Sequence, residues 1–271
     1  MQSTNPVVEF YDSDYPSRAL SKFPENFDAI THSQGIHDDV DRYREIAGEE
    51  PKQILELCCG TGRIGVPLAQ DGHHVHGVDI SREMLSTFQA HVESNELQEQ
   101  VTLVECDIVD LGLPYRDFDI CLIPFNSLLL IANFERQIEV IRRAIDHLRP
   151  GGELLLDIIN PLRIPTAGET TPKPFFTRRH PINGNTYTRF AARSAFDALQ
   201  RQTLFGWYDE ITSSGLLRRQ HYEILWRPIF RYELELMLRV CGIDCSAVEG
   251  GHRAESFTAS SSRMFVRTRK K

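Results

Sequence analysis

Residues 53–79 read QILELCCGTGRIGVPLAQDGHHVHGVD, which predicts a strand, a glycine turn, a helix and a second strand. Cys58, Gly60 and Gly62 form the turn, where small residues let the backbone bend tightly and approach a ligand. The helix that follows begins near Arg63, so its free N–H groups point toward that ligand. This order of elements is typical of a nucleoside-binding βαβ unit.

Acidic residues at three strand ends distinguish two kinds of nucleoside. Residues 60–65 match the GxGxxG pattern of dinucleotide sites, and Asp79 follows about 20 residues later, where such sites carry an acid. Glu56, however, lies on the strand before the turn, where its carboxylate would repel a pyrophosphate and attract a cationic amino-acid tail. Asp107 follows the third predicted strand and can accept a hydrogen bond from an adenine amine. The three acids favour a nucleoside with a cationic tail, and a nicotinamide-dependent oxidoreductase remains the alternative.

Strands and helices continue to alternate beyond this unit. Ser81 is a natural N-cap for a helix through about Glu93, and Phe134–Leu148 carries apolar residues at helical spacing. Further strands are expected at Val101–Glu105, Phe118–Ile123 and Glu153–Ile159. Because such alternation implies right-handed crossovers, we predict an α/β fold with a doubly wound, mostly parallel, seven-stranded sheet. Its ligand is expected at the carboxyl ends of the strands.

Composition narrows the classes of protein and of partner. The chain has 271 residues and a net charge of −8, which disfavours nucleic acid as a partner. Its six cysteines form no CxxC pair, so we expect reduced thiols and no metal. It contains no apolar run of about 18 residues and no signal-peptide pattern, which predicts a cytoplasmic protein without a membrane partner. The sequence indicates no oligomeric state.

Five short motifs carry a resemblance to a known family. They occur in the order LELCCGTGR, GVDIS, ECDIVDL, FDICLIPFNS and LRPGG. This series resembles that of class I S-adenosylmethionine-dependent methyltransferases, and the resemblance covers about residues 38–160. WRPIFRYELELMLRVCGID also resembles the tail of a bacterial group of small-molecule methyltransferases, in which an antiparallel insert follows the fifth strand. S-adenosylmethionine is therefore the expected cofactor.

Four segments are expected: an N-terminal helical cap at 1–50, a cofactor-binding core at 51–160, an antiparallel β lid insert at 161–230, and the final helix with two closing strands at 231–271. The cap contains a helix at His37–Ala47. Residues 161–185 are expected to form a loop. The insert is expected to be a small β-meander of three strands, at Thr186–Phe196, Gln200–Ile211 and Leu216–Trp226. The closing elements are a helix at Arg231–Val240 and strands at Ile243–Val248 and Arg263–Thr268.

The resemblance implies a role for each matching residue around the cofactor. Asp79 would hold the ribose hydroxyls, Ile80 would pack on the adenine, Cys106 would offer a backbone N–H to the ring, and Asp107 would accept from the adenine amine. Cys58 stands where the family usually has glycine, and its thiol fits if φ is negative there. The cofactor-binding residues implied in this way are Glu56, Cys58, Gly60, Gly62, Arg63, Asp79, Ile80, Met84, Cys106, Asp107, Ile108, Phe125 and Asn126.

The resemblance also implies direct methyl transfer to a nitrogen or oxygen atom of a small molecule. A general base is needed only for an acceptor that arrives protonated, and we look for it in the cap and the insert. The candidates are His221, Tyr222 and Tyr15 for catalysis, with Tyr11 and Trp207 for substrate binding. Some sugar-amine N-methyltransferases have a histidine just after the fourth strand, where this chain reads Ser127–Leu130, a departure that counts against an amino-sugar substrate. An RNA or protein methyltransferase and a non-catalytic cofactor-binding protein remain alternatives.

Overall fold

A computed structural model describes residues 5–17, 20 and 39–271. The chain divides into two compact units. The first, which we call the insert unit, comprises Ile164–Pro228 and the described residues that precede residue 35. The second, the core unit, comprises residues 39–163 and Ile229–Lys271. None of the described helices is long and apolar enough to cross a membrane.

The core unit is built on a seven-stranded sheet whose order is β10-β11-β5-β4-β1-β2-β3. Its strands are β1 (Gln53–Leu57), β2 (His74–Asp79), β3 (Val101–Glu105), β4 (Phe118–Ile123), β5 (Leu148–Ile159), β10 (Cys245–Glu249) and β11 (Arg263–Arg269). Strands β1 to β5 pair in parallel, and β11 is antiparallel to both of its neighbours. The predicted doubly wound, mostly parallel sheet of seven strands is therefore confirmed.

Five helices of the core unit connect or flank these strands, namely α3 (Asp39–Ala47), α4 (Gly65–Gln70), α5 (Arg82–Ser94), α6 (Phe134–His147) and α7 (Arg231–Val240). Two of them begin at side-chain caps. The Ser81 hydroxyl accepts from the Met84 N–H at the start of α5, and the Asn133 side chain accepts from the Arg136 N–H at the start of α6. These caps fix where each helix leaves the carboxyl edge of the sheet, as Ser81 predicted for α5.

Some boundaries differ from those expected. The fifth strand starts at Leu148 rather than Glu153, because Leu148 already pairs with Phe118 of β4. A register irregularity separates this pair from the next one, Ile120 with Glu153. The first helix after the glycine turn begins at Gly65 rather than near Arg63. Helix α3 is described from Asp39 onward, and the start expected at His37 lies outside the described residues.

The insert unit contains a four-stranded antiparallel sheet in the order β6-β7-β8-β9. Its strands are β6 (Lys173–Arg179), β7 (Thr186–Arg193), β8 (Gln202–Ile211) and β9 (Leu217–Trp226). The prediction of a loop throughout residues 161–185 is wrong, since β6 lies there. Its Pro174 reads as a strand breaker but is tolerated because β6 is an edge strand.

The two short helices α1 (Pro6–Glu9) and α2 (Tyr11–Asp14) belong to the insert unit, whereas α3 belongs to the core unit. The described part of residues 1–50 is therefore divided between the two units. Phe10 explains the placement of α1 and α2, because its ring is fully buried and stacks on Tyr208 of β8 at a centroid distance of 4.3 Å.

Candidate active site

Three acidic residues stand at neighbouring strand ends of the core unit. Glu56 lies near the end of β1, Asp79 ends β2, and Asp107 follows β3 after one further residue. Because β1, β2 and β3 are adjacent and parallel, their carboxyl ends meet at one edge of the sheet. The structure thus brings together the three acids that the sequence singled out.

The turn after β1 has left-handed backbone at three positions. Gly60 and Gly62 have φ values of +57° and +87°, and Cys58 has a φ of +58°. The expectation of a negative φ at Cys58 is wrong, and the family's usual glycine there has a physical reason, because a non-glycine residue in this region is strained. Gly62 is required for packing as well, since a Cβ at this position would lie 2.4 Å from the Phe88 ring.

Glu56 is a buried carboxyl group with an unused oxygen. Its side chain is 1% exposed, and its Oε2 makes no hydrogen bond to any described residue. Burial raises its pKa to about 8, with Asp79 and Asp39 adding to the shift and Arg63 opposing it. A buried carboxyl with an unpartnered oxygen at a ligand edge is suited to receive a cationic group.

Asp79 is held in place by two backbone amides. Gly60 N–H donates to Oδ2 and Ser81 N–H donates to Oδ1, both at 2.9 Å. Since a carboxylate has about four acceptor positions, each oxygen can still accept a ribose hydroxyl. Ile80, next to it, is 67% exposed, as a residue that packs on an adenine should be. Met84, on the first turn of α5, is half-buried rather than buried.

The structure gives the residues after β3 local partners. Asp107 caps a short 3₁₀ helix by accepting from Val109 N–H at 2.9 Å, and its Oδ2 lies 3.3 Å from Arg136 Nη2. The Cys106 N–H donates to the Asp79 carbonyl at 3.0 Å, so it is not directed at a ring as expected. The Ile108 side chain is buried in the core, which leaves only its backbone for a ligand. The role of Asp107 toward adenine stays a prediction.

The tip of β4 carries two consecutive left-handed residues. Phe125 has a φ of +48° and Asn126 a φ of +67°. The geometry is held by β5, because Asn126 N–H donates to the Asp157 carbonyl at 2.8 Å and the Ile159 N–H donates to Asn126 Oδ1 at 2.6 Å. Strained backbone that is fixed by its surroundings is common at functional sites. The amide oxygen of Asn126 is thus already occupied.

Buried charges around Phe125 were not foreseen. Arg63 forms a buried two-point ion pair with Asp39 of α3, at 2.9 Å and 2.7 Å. The guanidinium groups of Arg63 and Arg263 lie 5.4 Å and 5.1 Å from the centroid of the Phe125 ring. Only Arg63 was named from the sequence, since Asp39 and Arg263 are far away in the chain and belong to no local motif. Each of these guanidinium groups is paired with a buried carboxylate, so the Phe125 ring lies beside two buried ion pairs.

These residues fit the expected cofactor. Glu56 offers a buried carboxyl with one unpartnered oxygen for an ammonium group, and Asp79 offers a fixed carboxylate for hydroxyls. Ile80 supplies an exposed apolar surface for a ring. Together, these two acceptors and this apolar surface match an adenosine with a cationic amino-acid tail.

The candidates in the insert unit fall on two faces of its sheet. His221 and Tyr222 are consecutive in β9 and therefore point in opposite directions. His221 lies beside Trp207, with ring centroids 5.9 Å apart. Tyr222 is buried on the other face, where its hydroxyl donates to the Phe190 carbonyl. The structure therefore does not bring His221 and Tyr222 into one catalytic group.

A buried network surrounds Asp14 on the second of these faces. The Asp14 carboxylate accepts from the hydroxyls of Tyr187 and Tyr208 at 2.7 Å and 2.6 Å, and from Arg189 Nη1 at 2.8 Å. Arg189 Nη1 also lies 3.4 Å from the Tyr15 hydroxyl.

The ring of Tyr11 lies 5.1 Å from that of Tyr15. Tyr15 was named as a catalytic candidate and Tyr11 as a substrate-binding candidate. Their contacts place both beside the Asp14 network. A network this well satisfied reads as a structural support for α2 on the sheet.

One group of side chains in the described residues has the spacing of metal ligands. Glu9, His180 and Glu210 present ligand atoms within 4.8 Å of one another. Arg218 pairs with both acids, with Nη1 at 2.7 Å from Glu9 and 3.1 Å from Glu210. The group is therefore an ion-pair network around an arginine.

Comparisons with known proteins agree on one family. A model described as "Methyltransferase domain" matches residues 54–152. Over 257 residues the chain is 27% identical to the cypemycin N-terminal methyltransferase of a Streptomyces species, covering 94% of this chain and 96% of that protein.

Two solved structures share the fold. The CcbJ methyltransferase of Streptomyces caelestis aligns with a TM-score of 0.70 at 24% identity, covering 86% of this chain and 88% of that one. CalS10, an amino pentose methyltransferase of Micromonospora echinaspora, was solved with S-adenosylmethionine bound. It aligns with a TM-score of 0.67 at 20% identity, covering 90% and 96%.

Proposed function

Because this chain is a class I S-adenosylmethionine-dependent methyltransferase, we propose that it transfers the methyl group of its cofactor to the amine nitrogen of a small molecule. The observation that carries the choice of nitrogen is the similarity over almost the whole chain to a protein named as an N-terminal methyltransferase. The similarity extends through the insert unit, the segment from which acceptor contacts are expected.

The chemistry asks the protein mainly for alignment. The bound cofactor supplies a methyl group already activated by a sulfonium, so the residues must hold nucleophile, carbon and sulfur in line and exclude water. We assign the ammonium of the cofactor to Glu56, its ribose to Asp79 and its adenine to Ile80. Phe125, with the strained backbone at the tip of β4, would then flank the sulfonium on the acceptor side.

Two of the alternatives lose ground for separate reasons. The nicotinamide-dependent oxidoreductase is disfavoured because the matching family model is a methyltransferase domain and because the Glu56 carboxylate would repel a pyrophosphate. A polynucleotide acceptor is disfavoured because the net charge of −8 would repel a phosphate backbone.

The proposal can be tested with matched acceptors. A set of small amines, including amino sugars and peptides with a free N-terminus, would be incubated with the cofactor beside the corresponding hydroxyl compounds. We expect mass spectrometry to show a gain of one methyl group, about 14 Da, on amines only. Asp79→Ala should reduce both turnover and S-adenosylhomocysteine binding, the latter by about 1–3 kcal/mol. Methylation confined to hydroxyl compounds, or binding of the cofactor without methylation of any compound, would contradict the choice of an amine.

A further inference from the structure

Four polar side chains form a buried group in the core unit, which we call the Asp157 cluster. It consists of Asp157 on β5, Arg263 on β11, His252 in the loop between β10 and β11, and Tyr43 on α3. None is more than 5% exposed. Arg263 Nε donates to Asp157 Oδ1 at 2.9 Å, and His252 Nε2 lies 3.2 Å from Asp157 Oδ2. The Tyr43 and His252 rings both lie 5.7 Å from the Phe265 ring, which places them on the same side of β11.

The Asp157 cluster has unused hydrogen-bonding capacity. Among the described residues, no hydrogen bond reaches the Tyr43 hydroxyl, Asp157 Oδ2, either ring nitrogen of His252, or Arg263 Nη2. His252 and Asp157 are thus at ion-pair distance without the alignment of a hydrogen bond. Native proteins rarely leave buried polar atoms unpartnered, and here several occur together. The pattern points to a polar guest that both donates and accepts hydrogen bonds.

The position of the cluster relative to the cofactor residues follows from the order of the strands. The residues assigned to the ribose and the adenine, Asp79 and Ile80, lie at the end of β2, Glu56 lies at β1, and Phe125 follows β4. The next strand is β5, which carries Asp157. The Asn126 N–H donates to the Asp157 carbonyl, and the Arg263 guanidinium is 5.1 Å from the Phe125 ring. The Asp157 cluster therefore lies on the side of Phe125 away from the strands that carry the residues assigned to the adenosine.

We propose that His252, oriented by Asp157, is the catalytic residue that accepts the proton of the methyl acceptor. The inference rests on the proposed function, in which the acceptor is an amine. The ammonium form of the acceptor gives a proton to a ring nitrogen of His252, and the freed lone pair forms the bond to the methyl carbon. The carbon–sulfur bond breaks, and its electron pair remains on sulfur as a neutral thioether. Asp157 stays ionised and acts as a positioning residue.

The surrounding charges are consistent with this division of roles. Burial alone would raise the pKa of Asp157, but the adjacent Arg263 guanidinium holds it well below the ordinary value. Asp157 is therefore a carboxylate at neutral pH and cannot be the group that takes the proton. Histidine is the side chain whose ordinary pKa is suited to exchange a proton with an amine near neutral pH. Tyr43 faces the same space, and burial raises the pKa of its hydroxyl, so it remains a neutral donor.

The test uses sinefungin, a cofactor analogue in which a carbon bearing an ammonium group replaces the methylated sulfur. Its affinity would be compared with that of S-adenosylhomocysteine by calorimetry at several values between about pH 5.5 and about pH 8. A protonated His252 would repel the extra ammonium. We therefore expect the preference for sinefungin over S-adenosylhomocysteine to increase about tenfold as pH rises through this range. Glu56 affects both ligands equally, because they share the same amino-acid tail.

Two variants make the comparison specific. In His252→Gln the preference should no longer depend on pH, while S-adenosylhomocysteine binds as in the wild type. His73→Gln is the matched control, because His73 is also buried with no hydrogen bond to its ring nitrogens in the described structure, but it precedes β2 at the opposite edge of the sheet. This variant should keep the wild-type pH dependence.

The outcomes separate this inference from the proposed function. A preference that is independent of pH in the wild type, or that changes with pH equally in His252→Gln, would overturn the role of His252. If the wild type does not bind S-adenosylhomocysteine, that result would instead count against the cofactor site. With an amine acceptor in hand, His252→Gln should lower kcat at neutral pH and recover toward wild type at high pH, where the acceptor arrives deprotonated.

Discussion

At the residue scale, Glu56 links cofactor binding to a proton. Its pKa of about 8 means that it is mostly protonated at pH 7 before the ligand arrives. An ammonium beside it favours the carboxylate, so binding of S-adenosylhomocysteine should release about one proton at pH 7. Calorimetry in buffers of different ionisation enthalpy measures this number directly.

Glu56→Gln provides the control, because it keeps the shape of the side chain and cannot titrate. Its binding heat should be independent of the buffer, and its affinity should be lower. Proton release that persists unchanged in this variant would assign the proton to another group.

The raised pKa of Glu56 also has a consequence for stability. Because the folded-state pKa is raised, the free energy of unfolding should fall as pH rises from about 4.5 to about 8, and Glu56→Gln should remove that slope.

Cys58 gives a second prediction at this scale, through the strain of its left-handed backbone. Replacing Cys58 by glycine relieves about 1–2 kcal/mol of strain but adds about 0.5–1 kcal/mol of unfolded-state entropy. We expect the free energy of unfolding to increase by about 0.5 kcal/mol, measured by urea denaturation.

Cys59→Gly is the matched control for that change. Cys59 is buried and has no positive φ, so its removal costs side-chain packing and relieves no strain. The free energy of unfolding should therefore fall by about 1 kcal/mol or more. If Cys58→Gly is destabilising to the same extent, the strain argument is wrong.

At the element scale, the Glu9 carboxylate of α1 accepts hydrogen bonds from two side chains of β9. Arg218 donates two hydrogen bonds to Glu9, at 2.7 Å and 2.9 Å, and Gln220 donates a third at 3.1 Å. Burial would raise the pKa of Glu9, but these hydrogen bonds and that of His180 lower it below the ordinary 4.5. Because the folded-state pKa is depressed, the stabilisation is present above about pH 4.5 and is lost as the pH falls below it.

Glu9→Gln should therefore destabilise the insert unit by about 1 kcal/mol at pH 7 and by much less in acid. Thermal unfolding of wild type and variant at both pH values makes the comparison. Glu223→Gln removes an exposed carboxylate from β9, the strand that carries Arg218 and Gln220. It controls for net charge and should have little effect. A destabilisation by Glu9→Gln that is equal at both pH values would contradict the ion-pair explanation.

The elements that could be predicted are those whose signal is local. Strands β3 and β4 and helix α7 have the expected bounds, because a local apolar run or helical periodicity marks each of them. Strand β6 was missed because prolines and threonines dominate its neighbourhood, and its pairing with β7 supplies the order that propensity lacks.

The site shows the same limit of sequence analysis. Glu56, Asp79 and Asp107 belong to strand–turn motifs, so their convergence could be predicted. Asp157 and Arg263 meet across 106 residues of sequence, and no local pattern signals such a contact.

At the scale of the whole molecule, ligand specificity should appear in thermal unfolding. A ligand present at about 100 times its Kd stabilises a protein by about 2.7 kcal/mol, which corresponds to about 5–10 °C for a protein of this size. We expect S-adenosylhomocysteine to raise the melting temperature of the core unit by this amount, and NADH at the same concentration to leave it unchanged. The Asp79→Ala variant should show a much smaller rise. Equal shifts with both nucleotides would reopen the dinucleotide hypothesis.

The attachment of α2 to the antiparallel sheet has a consequence for the newborn polypeptide. Asp14 leaves the ribosome early, yet its partner Arg189 is separated from it by 175 positions. At ordinary elongation rates, that gap corresponds to roughly 10–35 s during which the acid has no arginine to bind. Translation that halts near residue 163 would yield a product in which Phe10 and Asp14 lack their partners in β7 and β8. We expect chaperones and proteases to recognise such products first.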